Sequence, residues 1–133
     1  MARDIPAWQP GPDGTGRAAT VHYTFRVPRP LVSYFRKVHG QNCFSIFAAV
    51  TPAADRESLA WLILALNYAK DTPMGDLVKF QDVVSRQDIP IVESQRPDLL
   101  PLDLQAELHL RSDRTAIAYR QWLKSLGLRH GTA

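Results

Sequence analysis

Cysteine is nearly absent. Cys43 is alone in 133 residues, so the chain forms no internal disulfide and no cysteine-paired metal knuckle. An iron–sulfur cluster held by this chain alone is excluded too, because even the mixed cysteine–histidine type takes two cysteines. Like-charge runs are also missing. The 16 basic and 13 acidic residues are scattered and leave a net charge of +3, which gives no nucleic-acid footprint. The densest basic group, Arg26, Arg29, Arg36 and Lys37, reads as a solvated strand edge. No apolar run is long enough for a bilayer: the longest is Leu59 to Leu66. The opening MARDIPAWQPGPDG has no apolar centre and is not a signal peptide. These absences predict a cytoplasmic protein with neither nucleic-acid nor membrane partners.

What is present is an ordinary soluble composition, 45% hydrophobic and 22% charged, sufficient for one domain. Residues 1–19 are rich in Pro, Gly and Asp and read as an irregular lead-in. Residues 20–127 form the body and 128–133 a fraying tail. Val21, Tyr23, Phe25 and Val27 alternate with polar neighbours, the mark of a half-buried strand. A second strand runs from Cys43 to Thr51, with Phe44, Ile46, Ala48 and Val50 on one face. Leu31 to Val38 is less regular, with Tyr34 and Phe35 as core residues and His39-Gly40 as a turn. Leu59 to Ala69 has helix-favouring composition but follows a short polar connection from a strand, which favours a hairpin partner.

The chain is organised around Thr72 to Gln95. Thr72-Pro73 is an N-cap followed by proline at the first helical position. Leu77, Phe80 and Val84 recur along one helix face, and the same line continues through Asp88, Ile91 and Gln95. At 100° per residue all six fall within about 60° of one line. A carboxylate thus stands where a core residue is expected, and buried Asp is rare unless paired, hydrogen-bonded or metal-bound. Pro90 removes one helical N–H and predicts a kink or break near Gln87, which leaves an alternative for Asp88 as the N-cap of a second helix. Strands followed by a long helix predict an α+β fold, an antiparallel sheet with the helix packed across it. Ser112 or Asp113 caps a last helix through Leu126, closed by Gly127, with Ala116, Tyr119, Leu123 and Leu126 inward.

The run QDIPIVESQRPDLLPLDLQAELHLRSDRTAIAYRQWL, Gln87 to Leu123, resembles the C-terminal end of the catalytic domain of Rieske-type non-haem iron oxygenases. More specifically it resembles vanillate demethylase and related aromatic-ring-hydroxylating oxygenase α subunits, and the likeness extends loosely back to Val21. Asp88 and Glu93 match an Asp and a Glu five positions apart on that family's last long helix. The resemblance implies a partial helix-grip, Bet v 1-like domain, with Asp88 as the carboxylate of a mononuclear Fe(II) site and Glu93 as its supporting partner, the alternative for Glu93 being a solvated helix residue. It further implies a Rieske [2Fe–2S] cluster in an upstream part that this chain lacks, dioxygen as co-substrate, and a ferredoxin or reductase as electron donor. The intact enzyme would be a homotrimeric mono- or dioxygenase that hydroxylates or O-demethylates an aromatic or similar apolar substrate. This chain alone is then incomplete and inactive. The alternative is a non-catalytic helix-grip module binding an apolar small molecule, with Asp88 only a cap.

The remaining candidates are weaker. His22, His39, His109 and His130 have no four- or five-residue spacing that would put two on one helix face toward a metal. Only Asp88 is carried over as a ligand. Phe47, Trp61, Asn67, Phe80 and Val84, with Ser45, are candidate pocket-lining residues, although aromatics at such spacing are more often plain core.

Overall fold

The computed structural model describes residues 2–8 and 18–128. Five strands are followed by two helices: β1 (Ala2–Trp8), β2 (Ala18–Arg29), β3 (Val32–His39), β4 (Asn42–Ala54), β5 (Glu57–Leu66), α1 (Met74–Glu93) and α2 (Arg114–Ser125), the last preceded by a 3₁₀ turn at Arg111–Asp113. The expected α+β class and the long helix are both present. The chain divides into two compact units, residues 1–83 and 84–133.

In the first unit the strands form one antiparallel meander in the order β1-β2-β3-β4-β5. Its strands at 18–29 and 42–54 cover those expected from alternation, and 57–66 is the expected hairpin partner, ending at Leu66 and not at Ala69. Two differences stand out. Residues 2–8, read from the sequence as part of an irregular lead-in, pair along their whole length with β2. Pro6 is compatible with this because β1 is an edge strand, the part of a sheet that tolerates proline. The stretch after Leu31 is a full strand, β3, pairing with both β2 and β4. The basic group on β2 and β3 therefore lies on interior strands and not on a strand edge.

Prolines and turn residues mark where the ladder bends. Pro28 falls in the register shift between Arg26 and Arg29, and Pro52 opens the shift between Pro52 and Ala54. Gly40 has φ +55°, the left-handed value needed at the first loop position of the two-residue Gly40-Gln41 hairpin. The β2–β3 turn is Pro30-Leu31, with Leu31 at φ +61° where a type II turn prefers glycine.

Register sorts the side chains. Val21, Tyr23, Phe25, Phe35, Phe44, Ile46, Leu64 and Leu66 share one face. Phe35 is its centre, with ring centroids 5.6 Å from Tyr23, 4.9 Å from Phe25 and 6.4 Å from Phe44. Val21, on this face, is 1% exposed.

The second unit is held differently. Leu123 on α2 and Pro101 in the preceding extended segment are buried. Glu107 Oε2 meets Arg120 Nη2 at 2.6 Å, tying that segment to α2. Asp113 was one of two candidate caps for the last helix. It stands at the N-cap position, but its Oδ2 accepts the Leu110 N–H at 2.7 Å instead of capping α2. The C-terminus closes as expected at Gly127, φ +73°, with Gly127 N–H donating to the Lys124 carbonyl and Leu128 N–H to that of Leu123. The inward stripe differs from the expected one. Ile117, Tyr119, Arg120, Trp122 and Leu123 are covered, whereas Ala116 and Leu126 are exposed.

Candidate functional site

α1 opens one residue later than expected. The Pro73 carbonyl accepts the Leu77 N–H, so Met74 is the first helical residue. From there the helix runs unbroken to Glu93 with Pro90 inside it. The proline therefore does not divide the helix near Gln87, and Asp88 is not the N-cap of a second one. The Arg86 carbonyl still loses its donor, since Pro90 has no N–H.

Phe80, Val84 and Asp88 succeed one another at four-residue steps on α1, each about 40° round from the last. Leu77 and Val84 are half-buried, Phe80 is 42% exposed and Asp88 is exposed. The stripe does not make Asp88 a core residue: α1 buries none of its residues. Asp88 thus stands on the line set by Leu77 and Val84, yet open to solvent in this chain. Glu93 ends the helix. Its backbone carbonyl accepts from Arg96 Nη1 at 3.2 Å, while the Arg96 guanidinium pairs with the Asp98 carboxylate at 2.8 Å.

The other candidates lie in the first unit. Phe47 pairs with Ile63 and Trp61 with Ala49, which puts both aromatics on one face of β4–β5 as neighbours on a diagonal. Ser45 is on that face as well. Asn67 acts as a clamp. Its Oδ1 accepts the Cys43 N–H at 2.7 Å, its Nδ2 donates to the Gln41 carbonyl at 2.8 Å, and its own N–H donates to the Cys43 carbonyl at 3.2 Å. Its amide is occupied in joining the end of β5 to the β3–β4 turn. One pair escaped the sequence reading: Arg36 Nε donates to Cys43 Sγ at 3.2 Å, and this sulfur holds the guanidinium pKa above its ordinary value. Once the two-residue turn at Gly40-Gln41 is placed, register puts these two side chains on a diagonal of the same face.

The histidines are dispersed. His22 is exposed on β2, and His39 Nδ1 lies 3.0 Å from the Thr20 carbonyl. The Nε2 of His109 is buried without a partner, and His130 lies outside the described residues. Among the described residues no three His, Cys, Asp or Glu side chains gather as a metal site. A non-haem iron does not fit this chain's described residues by themselves. Asp88 offers one hard oxygen ligand, and a stable iron site takes several.

Comparison with known proteins gives a consistent result. The vanillate O-demethylase oxygenase C-terminal domain family matches residues 2–129. A probable methylxanthine N7-demethylase, NdmC, from Pseudomonas sp. (strain TJI-51), is 30% identical over 130 residues, covering 92% of this chain and 45% of that protein. The methylxanthine N1-demethylase NdmA of Pseudomonas putida is 28% identical over 108 residues, covering 81% of this chain and 30% of that protein. The chain therefore spans less than half the length of these relatives. Among solved structures, the Pseudomonas putida CBB5 NdmA QL mutant with caffeine superposes with a TM-score of 0.67 at 24% identity, covering 82% of this chain and 34% of that one. The same mutant with theobromine gives the same values, and both comparisons support the fold. With a family match over nearly its whole length, the chain belongs to the vanillate O-demethylase oxygenase C-terminal domain family, within the Rieske-type oxygenases.

Proposed function

We propose that these residues are the C-terminal part of the catalytic domain of a Rieske non-haem iron oxygenase. The enzyme removes methyl groups from, or hydroxylates, a planar aromatic or heteroaromatic substrate with dioxygen. The observation that carries this reading is the family match across residues 2–129. The relatives' names, methylxanthine demethylases, favour demethylation of an N- or O-methylated ring over dihydroxylation. We assign Asp88 as the carboxylate ligand of the iron, with the remaining ligands supplied from outside the described residues. The Asp88–Glu93 spacing supports this, whereas the exposure of Asp88 on α1 in this chain does not. A partial helix-grip domain is the corresponding architecture. The Rieske cluster belongs elsewhere, because Cys43 is this chain's one thiol. Electrons come from a separate ferredoxin or reductase.

The chain is to be expressed alone and fused to a related N-terminal half, with bound iron and substrate-dependent oxygen uptake measured in each. By itself it should bind no stoichiometric iron and consume no oxygen. The fusion should do both, and Asp88→Ala should remove the iron and at least about a hundredfold of the activity, since losing even an outer-shell partner of a ligand costs about 10–100-fold. Turnover by the chain alone, or full iron and activity in the fused Asp88→Ala protein, defeats the assignment. A fusion that binds methylxanthine but never iron would instead favour a non-catalytic binding module.

A further inference from the structure

We propose that the sheet face carrying Arg26, Arg29 and Arg36 docks an acidic protein surface. The three arginines stand in register with an apolar strip on the far strands. One row across the sheet reads Arg26, Tyr34, Phe47, Ile63, and the next reads Arg29, Val32, Ala49, Trp61. A third reads Thr24, Arg36, Ser45, Ala65. The surface therefore changes from cationic on β2–β3 to aromatic and aliphatic on β4–β5. Both ends are open: Arg26, Arg29 and Arg36 are exposed, and Trp61 and Ile63 are each 65% exposed.

The described side chains of β2–β5 offer this face little counter-charge, although on β1 Asp4 pairs with His22, a β2 residue of the same face. Among the described side chains of β2–β5, the one carboxylate in register with it is Glu57, at the tip of the β4–β5 hairpin. From Arg29 that tip is three strands across and four residue pairs along. These steps come to roughly 14 Å and 13 Å at standard strand spacing and rise. This exceeds the Debye length of about 8 Å at physiological salt. Arg36 is steadied by its bond to Cys43 Sγ, so one cation is held in place before any partner arrives.

The composition selects the class of partner. Arg and Trp are the residues most enriched at energetic centres of protein interfaces, and an exposed apolar patch beside them marks an interaction site. Nucleic-acid surfaces are more uniformly polar and basic than this one, half of which is Phe47, Trp61 and Ile63. A protein with carboxylates facing β2–β3 and apolar side chains facing β4–β5 complements both halves. Its carboxylates would speed encounter and make binding salt-dependent.

The test uses the full chain and a fluorescently labelled helical peptide with Glu on one face and Leu and Phe on the other, followed by anisotropy. Binding should weaken about tenfold between 20 and 200 mM NaCl. It should be lost in Arg26→Glu/Arg29→Glu, reduced in the milder Arg26→Gln/Arg29→Gln, and unchanged in Lys124→Glu on α2. Trp61→Ser should weaken it with the salt dependence retained. Circular dichroism and melting curves confirm that each variant is folded. Absence of peptide binding overturns the proposal, as does equal loss in the Lys124→Glu control. Tighter binding to phosphatidylserine vesicles or duplex DNA than to the peptide also overturns it. So does a self-association that the arginine reversals abolish, which would make a second copy the occupant.

Discussion

The two units of this chain are stabilised by different means. Residues 1–83 form a meander in which rings on neighbouring strands touch across the ladder, with Phe35 meeting three others. The described residues of 84–133 bury little beyond Leu123 and Pro101 and rely on charge contacts and helix ends: Glu107 with Arg120, Asp113 with Leu110, and the Gly127 closure. A sheet presents a continuous face, so apolar contacts accumulate from strand to strand. A single short helix offers one narrow stripe, and polar devices at its ends then carry a larger share.

This contrast can be broken most directly at Phe35. Phe35→Ala should destabilise the first unit by about 3 kcal/mol, from lost apolar burial and three lost ring contacts. Ile63→Ala, on the open face, should change stability by no more than about 0.5 kcal/mol. Urea unfolding followed by circular dichroism reads both. Equal costs would mean that the ring cluster does not hold the sheet. A smaller effect is expected at the sheet's end. Asn67→Ala removes two side-chain bonds and should cost about 1–2 kcal/mol. Asn67→Asp, which keeps the acceptor for Cys43 N–H, should recover part of that. Amide exchange at Cys43 reports the loss locally.

The smallest effect belongs to the second unit and is seen in acid. The Leu110 N–H, then Ser112, and then the charges of His109 and Arg120 hold the Asp113 carboxyl below its ordinary pKa. A group with a depressed native pKa contributes stability that is complete above its unfolded value, about 3.9. That contribution fades as the pH falls below this value and through the native pKa. Asp113→Asn should therefore weaken the second unit slightly at neutral pH and flatten its decline below pH ~4. An NMR titration of the Leu110 amide checks this. An amide shift that ignores acid in the parent protein would remove Asp113 from the devices holding this unit.

How much of this was legible depended on whether one influence or several set each residue. β2 and β4 were readable because their alternation follows a single buried face. β3 was not, because Tyr34 and Phe35 are consecutive and apolar on opposite faces, one in the ring cluster and one in the open rows. Its strand state comes from two neighbours that lie elsewhere in the sequence. β1 was hidden by Pro6 and by composition, since an edge strand needs pairing on one side alone. On α1 the stripe was found, but its end was not. Pro90 suggested a break that the helix does not make, because losing one hydrogen bond does not outweigh a 20-residue helix. The identity of Asp88 as a candidate ligand came from resemblance, whereas its exposure in this chain required coordinates. Asn67 looked like a lining residue because asparagine gives no sign in sequence of whether its amide faces a ligand or a backbone turn.

The Gly40-Gln41 hairpin has a consequence for how this gene can vary. It joins β3 and β4 with two residues and fixes every pair from Val32–Ala49 to His39–Asn42. Gaining or losing one codon there would turn one strand over relative to the other. Phe44 and Ile46 would exchange sides with Ser45 and Phe47, so that one lesion would disperse the ring cluster and the arginine rows together. Drift at this turn is therefore restricted to point changes that keep its length. The β4–β5 hairpin is set the same way by its two turn residues, Asp55 and Arg56, but its irregularity at Pro52–Ala54 shows that one unpaired residue on β4 is already accommodated there.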